Sequence, residues 1–153
     1  MRKMTENEMR DFIEEWTWGT IIATDENNKP YAVEVSYGSD GKNIYCGTRP
    51  GGKMSKCIRK NPDIIFKICD ADKHYIDFRG VSVFAKVEIM SKGEDIMYGI
   101  QQIAHKVINV AQRKSMSAED FEKIGERMAA HPEKSNALRI PIENLTGVIR
   151  DLG

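Results

Sequence analysis

Three β-rich runs, TIIAT (20–24), YAVEVSY (31–37) and NIYCGT (43–48), are separated only by DENNKP and GSDGK, connectors of six and five residues made of turn formers. Links this short dictate antiparallel hairpins, because a parallel pair needs a crossover of about a dozen residues or more. The rule decides how the next stretch, CGTRPGGKMSK (46–56), is read. Gly47, Gly52 and Lys53 match a phosphate-binding P-loop, but Met54 stands where that motif needs a hydroxyl for magnesium. P-loop folds also build parallel sheets, and here the strand feeding the glycines already pairs antiparallel. The turn suits a phosphate, not a metal-bound triphosphate.

The remaining pattern completes a mainly β chain. TENEMRDFIEEW offers Thr5 as a helix cap with Glu8 three residues on, then Met9, Phe12, Ile13 and Trp16 at helical spacing. GGKMSKCIRKNP reads as a helix of about three turns, with Met54, Cys57 and Ile58 on one face and Asn61-Pro62 ending it. DIIFKIC (63–69) and YIDFRGVSVFAKVEIM (75–90) read as strands, the second alternating through Val81, Val83, Ala85, Val87 and Ile89. Gly80 marks a bulge or a close approach within it. A helix follows with Ile96, Ile100, Ile103, Val107 and Val110 on one face, then a helix capped by Ser117, then the strand ALRIPI (137–142). About six antiparallel strands with three or four peripheral helices close most easily into a small barrel, which removes exposed edges.

At 153 residues the chain is expected to form one domain, 1–153. Its 23 basic and 23 acidic residues cancel, so no global field draws nucleic acid or an anionic membrane, and any anion site is local. The opening MRKMTENEMRDF lacks the apolar core of a signal peptide, and no apolar run approaches the ~20 residues that span a bilayer, so a cytoplasmic protein is expected. Cys46, Cys57 and Cys69 and the histidines 74, 105 and 131 are too scattered for a metal site or a disulfide framework.

Chemistry concentrates at the glycine turn. A strand ends at Cys46, and the chain turns through Gly47, Thr48, Arg49, Pro50, Gly51 and Gly52 into a helix near Lys53. Glycines admit a ligand close to the backbone, and a helix start presents unpaired N–H groups and partial positive charge. The Thr48 hydroxyl and the cations Arg49 and Lys53 complete a set able to neutralise a phosphate monoester of charge about −2.

From about Met9 to Val148 the order of these features resembles the pyridoxamine 5'-phosphate oxidase-like flavoproteins, the FMN-binding split β-barrels. The likeness lies in WGTIIATDENNKPYAVEVSYGSDGKNIYCGTRPGGKMSKCIRKNPDIIFKI followed by FRGVSVFAKVEIM. It implies a six-stranded antiparallel split β-barrel with peripheral helices and FMN as cofactor. The second strand would lay Val33, Glu34, Val35 and Ser36 along the flavin ring, Gly47, Thr48 and Arg49 would hold the phosphate, and Lys53 with Met54 beside it would open the following helix, behind Gly52. The resemblance further implies a homodimer with flavin at the subunit interface, approached by Arg79 and Gly80 of the partner's long strand. An FMN-dependent oxidoreductase reducing a small conjugated substrate is the implied activity; a non-catalytic flavin-binding or storage protein, or a deazaflavin- or haem-binding split barrel, is the alternative. The end RIPIENLTGVIRDLG lacks the Trp-, Arg- and His-rich segment of true pyridoxamine-phosphate oxidases, and Gly47 stands where relatives linked to nitroimidazole resistance often carry His. No catalytic side chain is identified, and Trp16, Trp18, Tyr37 and Tyr75 are assigned to packing rather than stacking on a ligand.

Overall fold

The computed structural model describes residues 1–113 and 117–150, the side chains of 107–113 excepted; Val107 and Val110 of the expected apolar face therefore lie outside the described side chains. In chain order the elements are β1 (Arg2–Lys3), α1 (Glu6–Glu15), β2 (Trp18–Thr24), β3 (Pro30–Ser36), β4 (Gly38–Ser39), β5 (Asn43–Gly47), α2 (Lys53–Lys60), β6 (Asp63–Ala71), β7 (Phe78–Lys86), β8 (Glu88–Ile89), α3 (Gly93–Arg113), α4 (Ala118–Ala130), a 3-10 turn (Pro132–Lys134), β9 (Ala137–Pro141) and β10 (Leu145–Arg150). Every described strand pair is antiparallel, as the short connectors require.

The strands form two sheets, one of six in the order β1-β10-β7-β6-β2-β3 and one of four in the order β4-β5-β9-β8. The chain passes between them four times: Tyr37 joins β3 to β4, α2 lies between β5 and β6, Val87 joins β7 to β8, and residues 142–144 join β9 to β10. The long alternating run of 75–90 is thus two strands in two sheets. Ile21, Phe66, Ile68, Val81 and Val83 of the larger sheet face Ile44, Leu138 and Ile140 of the smaller one, all fully buried. Phe12 and Ile13 of α1 and Met54, Cys57 and Ile58 of α2 belong to the same core. This is a split antiparallel barrel, with helices at its margins.

Local chemistry explains the helices. Thr5 and Glu8 form a reciprocal capping box at α1, and Ser117 and Asp120 do the same at α4. Helix α2 begins at Lys53, as the sequence suggests, with Gly52 as its cap, but its eight residues make about two turns rather than three. Helices α3 and α4 cover the outer face of the smaller sheet through a second cluster of Tyr45, Met90, Ile96 and Ala137. With apolar groups needed on both faces, β5 carries Ile44, Tyr45 and Cys46 in succession, all buried.

Gly80 is no bulge. It pairs in register with Cys69 and Val148, and the close approach is by side chains: a Cβ there would lie 3.0 Å from Phe78 and 3.2 Å from the Lys67 ammonium. Strand β10, which the sequence pattern does not announce, completes the larger sheet beside β7.

Candidate functional site

Strand β3 ends the larger sheet, so one of its backbone edges has no ladder partner among the described residues. Beside that edge, where β5 runs out at Gly47 and the chain bends into α2, lies a cleft of about 440 Å³. Val33, Glu34 and Val35 line one side of it, and Gly47, Thr48, Arg49, Gly52, Lys53 and Met54 line the other. Nine of the residues picked out in the sequence therefore meet in one place. The bend is not filled by its own side chains: Gly51 takes a φ of 72° and a Cβ there would meet nothing, while one on Gly47 would meet only the Asn136 carbonyl, at 3.6 Å.

Three features make the bend receptive to an anion. Gly52 caps α2 without any side-chain hydrogen bond, so the first N–H groups of the helix have no capping side chain. The first turn of α2 holds no acidic residue, whereas α1, α3 and α4 each begin with two. Lys53 occupies that turn, at the positive end of the helix dipole, where a cation is disfavoured unless negative charge joins it. Its ammonium lies 4.5 Å from the centre of the Tyr31 ring and adds to the field that holds the Asp25 carboxyl below its ordinary range, after hydrogen bonds from the Lys29 and Asn27 backbones.

Two residues of the site escape the sequence pattern. Tyr31 lines the cleft, on the same face of β3 as Val33 and Val35; the strand's period of two was the available signal. Asn136, almost fully buried, accepts a hydrogen bond from Arg59 Nη2 at 3.0 Å and donates from Nδ2 to Thr48 Oγ1 at 2.8 Å. Its carbonyl also accepts from the Thr48 backbone N–H, at 3.1 Å. Thr48 is thereby held at both backbone and side chain. Because its oxygen already accepts from Asn136, its own proton is left to donate.

The other expected residues lie elsewhere in the chain. Ser36 is exposed at the end of β3 and does not line the cleft. Arg79 is tied to Glu15 at 2.9 Å and to Asp70 at 3.2 Å, with its guanidinium 4.2 Å above the Phe12 ring. Gly80 faces a separate depression, of about 310 Å³, beside Lys67 and Thr146. Tyr37 is fully buried and donates to the Ile13 carbonyl at 2.6 Å, while Trp18 and Tyr75 are exposed. Among the described residues no group of three His, Cys, Asp or Glu could hold a metal ion, and no helix is long and apolar enough to cross a membrane.

Comparison with known proteins agrees with the architecture. The model of the pyridoxamine 5'-phosphate oxidase family matches residues 5–134. A candidate 5-nitroimidazole antibiotic resistance protein from Bacteroides thetaiotaomicron superposes with a TM-score of 0.74 at 15% identity, covering 95% of this chain and 85% of that one. An FAD-binding protein from Mycobacterium smegmatis gives 0.64 at 15% identity over 98% of both chains. An FAD- and haem-binding protein from the same organism gives 0.74 at 10% identity, over 99% of this chain and 74% of the other. None of the curated proteins compared with the chain matches it.

Proposed function

The chain belongs to the pyridoxamine 5'-phosphate oxidase family, and from that premise we propose that it is a flavoprotein whose cleft beside β3 holds the mononucleotide unit of a flavin, FMN in its simplest form. The observation that carries this reading is the start of α2: a bare glycine cap and a cationic first turn, facing a cleft rather than solvent alone. A phosphate there would take backbone N–H groups of Lys53 and Met54, the Thr48 hydroxyl, and the charges of Arg49 and Lys53. The free edge of β3 offers unpaired amide groups to the polar rim of the ring system, and Val33 and Val35 offer it an apolar wall. Solved relatives described as FAD-binding support the flavin reading.

When bound, the isoalloxazine supplies the redox chemistry, accepting or donating hydride or single electrons. The chain's own part is to bind the phosphate, orient the ring against β3 and keep one face open to a small conjugated substrate, which makes an oxidoreductase the favoured activity. A homodimer is part of the proposal. Among the described residues no helix covers the outward face of the larger sheet, which carries an apolar row, Ala32, Ile22, Ile65 and Phe84, in register across four strands. The approach of the partner's Arg79 and Gly80 to the flavin, which the family resemblance implies, belongs to the same proposal.

Calorimetric titration with FMN tests the reading, and saturable binding accompanied by the yellow absorbance of an oxidised flavin is expected. Lys53→Ala should weaken it by roughly 1.5–3 kcal/mol, the usual worth of a hydrogen bond to a charged group. Absence of binding by the purified chain, or a Soret band with haem in its place, would overturn it.

A further inference from the structure

Behind the glycine turn, on the side away from β3, lies a second cleft of about 370 Å³, within the ~300–1,000 Å³ of ordinary small-molecule sites. Pro50 and Met128 give it apolar walls, while Arg127, His131 and Lys134, from the end of α4 and the 3-10 turn, stand at its rim. The two clefts share Thr48, whose hydroxyl is held in place by Asn136. Resting on the flavin reading above, we propose that this second cleft takes the adenylate half of FAD, so that the cofactor is held as a dinucleotide astride the turn.

The charges and the shape both favour that occupant. In a dinucleotide the terminal phosphate of FMN becomes one end of a pyrophosphate, and the chain of atoms must leave the first phosphate site past Thr48. The next cations in that direction are Arg127 and Lys134, and among the described residues neither has an ion-pair partner. His131 has its Nδ1 3.5 Å from the Glu133 carboxylate, so the permanent charges offered to a second phosphate are those of the arginine and the lysine. The Pro50 and Met128 walls of the same cleft suit a flat heteroaromatic base better than a sugar or a free anion, and the Met128 thioether is a favourable neighbour for such a ring. Met128 also packs on the cluster that seats α3 and α4 on the smaller sheet, which places one wall on fixed structure.

Competitive calorimetry with FMN, FAD and AMP on the same preparation separates this proposal from the one it rests on. FAD should bind roughly tenfold or more tighter than FMN, the effect of about one added charged hydrogen bond. The double variant Arg127→Ala with Lys134→Ala alters exposed positions, so folding is retained; it should bring FAD down to the affinity of FMN while leaving FMN itself unchanged. FAD binding no tighter than FMN, or a double variant that weakens both flavins alike, would overturn the dinucleotide proposal and leave the flavin reading standing. Failure of both flavins to bind would remove the two together, and AMP displacing FMN rather than adding to it would place the adenylate in the wrong cleft.

Discussion

Asn136 serves three partners from a position with almost no solvent exposure: Arg59, the Thr48 hydroxyl and the Thr48 backbone. Replacing it with Ala keeps the backbone bond but leaves Arg59 and the Thr48 hydroxyl to find water in a place that has little. We expect Asn136→Ala to lower stability by roughly 1–3 kcal/mol in urea denaturation, the cost of unsatisfied buried polar groups, and to weaken flavin binding in parallel because Thr48 loses its clamp. An affinity that survives while stability falls would show that Thr48 does not touch the ligand. Asn136 could not be read from the sequence, since it lies 88 residues from Thr48 and 77 from Arg59, with no motif around it. Gly47, Thr48, Arg49 and Lys53 could, because their chemistry is contiguous and a strand-to-helix turn brings neighbours together without help from the rest of the fold.

Among the elements, α1 shows what a conventional helix start looks like and what breaks it. Arg2 and the Thr5 backbone hold the Glu8 carboxyl down to about 2, against an ordinary 4.5. A carboxyl with a folded value below its unfolded one contributes stability above the unfolded value and loses it as pH falls through the folded one. Acid unfolding followed by circular dichroism should therefore show a loss between about pH 4.5 and 2 that Glu8→Gln removes. Gly38 tests the docking of α3, since a Cβ on it would lie 2.2 Å from the Gln102 carbonyl carbon in the helix backbone. Backbone cannot rotate away, so Gly38→Ala should cost about 1–3 kcal/mol or more, read from the thermal midpoint. The same logic explains why β10 hides in the sequence. Its interior Gly147 argues against a strand on propensity, yet a Cβ there would press within 2.8 Å of Met9, so the glycine is what lets α1 lie on the sheet. The switch of the 75–90 run from one sheet to the other at Val87 leaves the period of two intact and so leaves no local mark either.

At the scale of the molecule, antiparallel topology was legible because connector length alone excludes the alternative, whereas the division into two sheets depends on pairings such as β5 with β9 that join residues some ninety positions apart. The exposed row on the larger sheet gives the assembly prediction. Light scattering should report a particle of twice the 17.4 kDa chain mass, and Phe84→Glu, a change at a side chain 39% exposed in the single chain, should return it to one copy. A single copy in the unaltered protein would dismiss that face as the contact. The bare edge of β3 carries a different liability. Unpaired amides in a row are a template on which another extended chain can crystallise its own backbone, and the ligand assigned to the adjoining cleft is also the group that would screen them. If the cleft holds a flavin as proposed, polypeptide lacking it would be the more prone to precipitate through this edge.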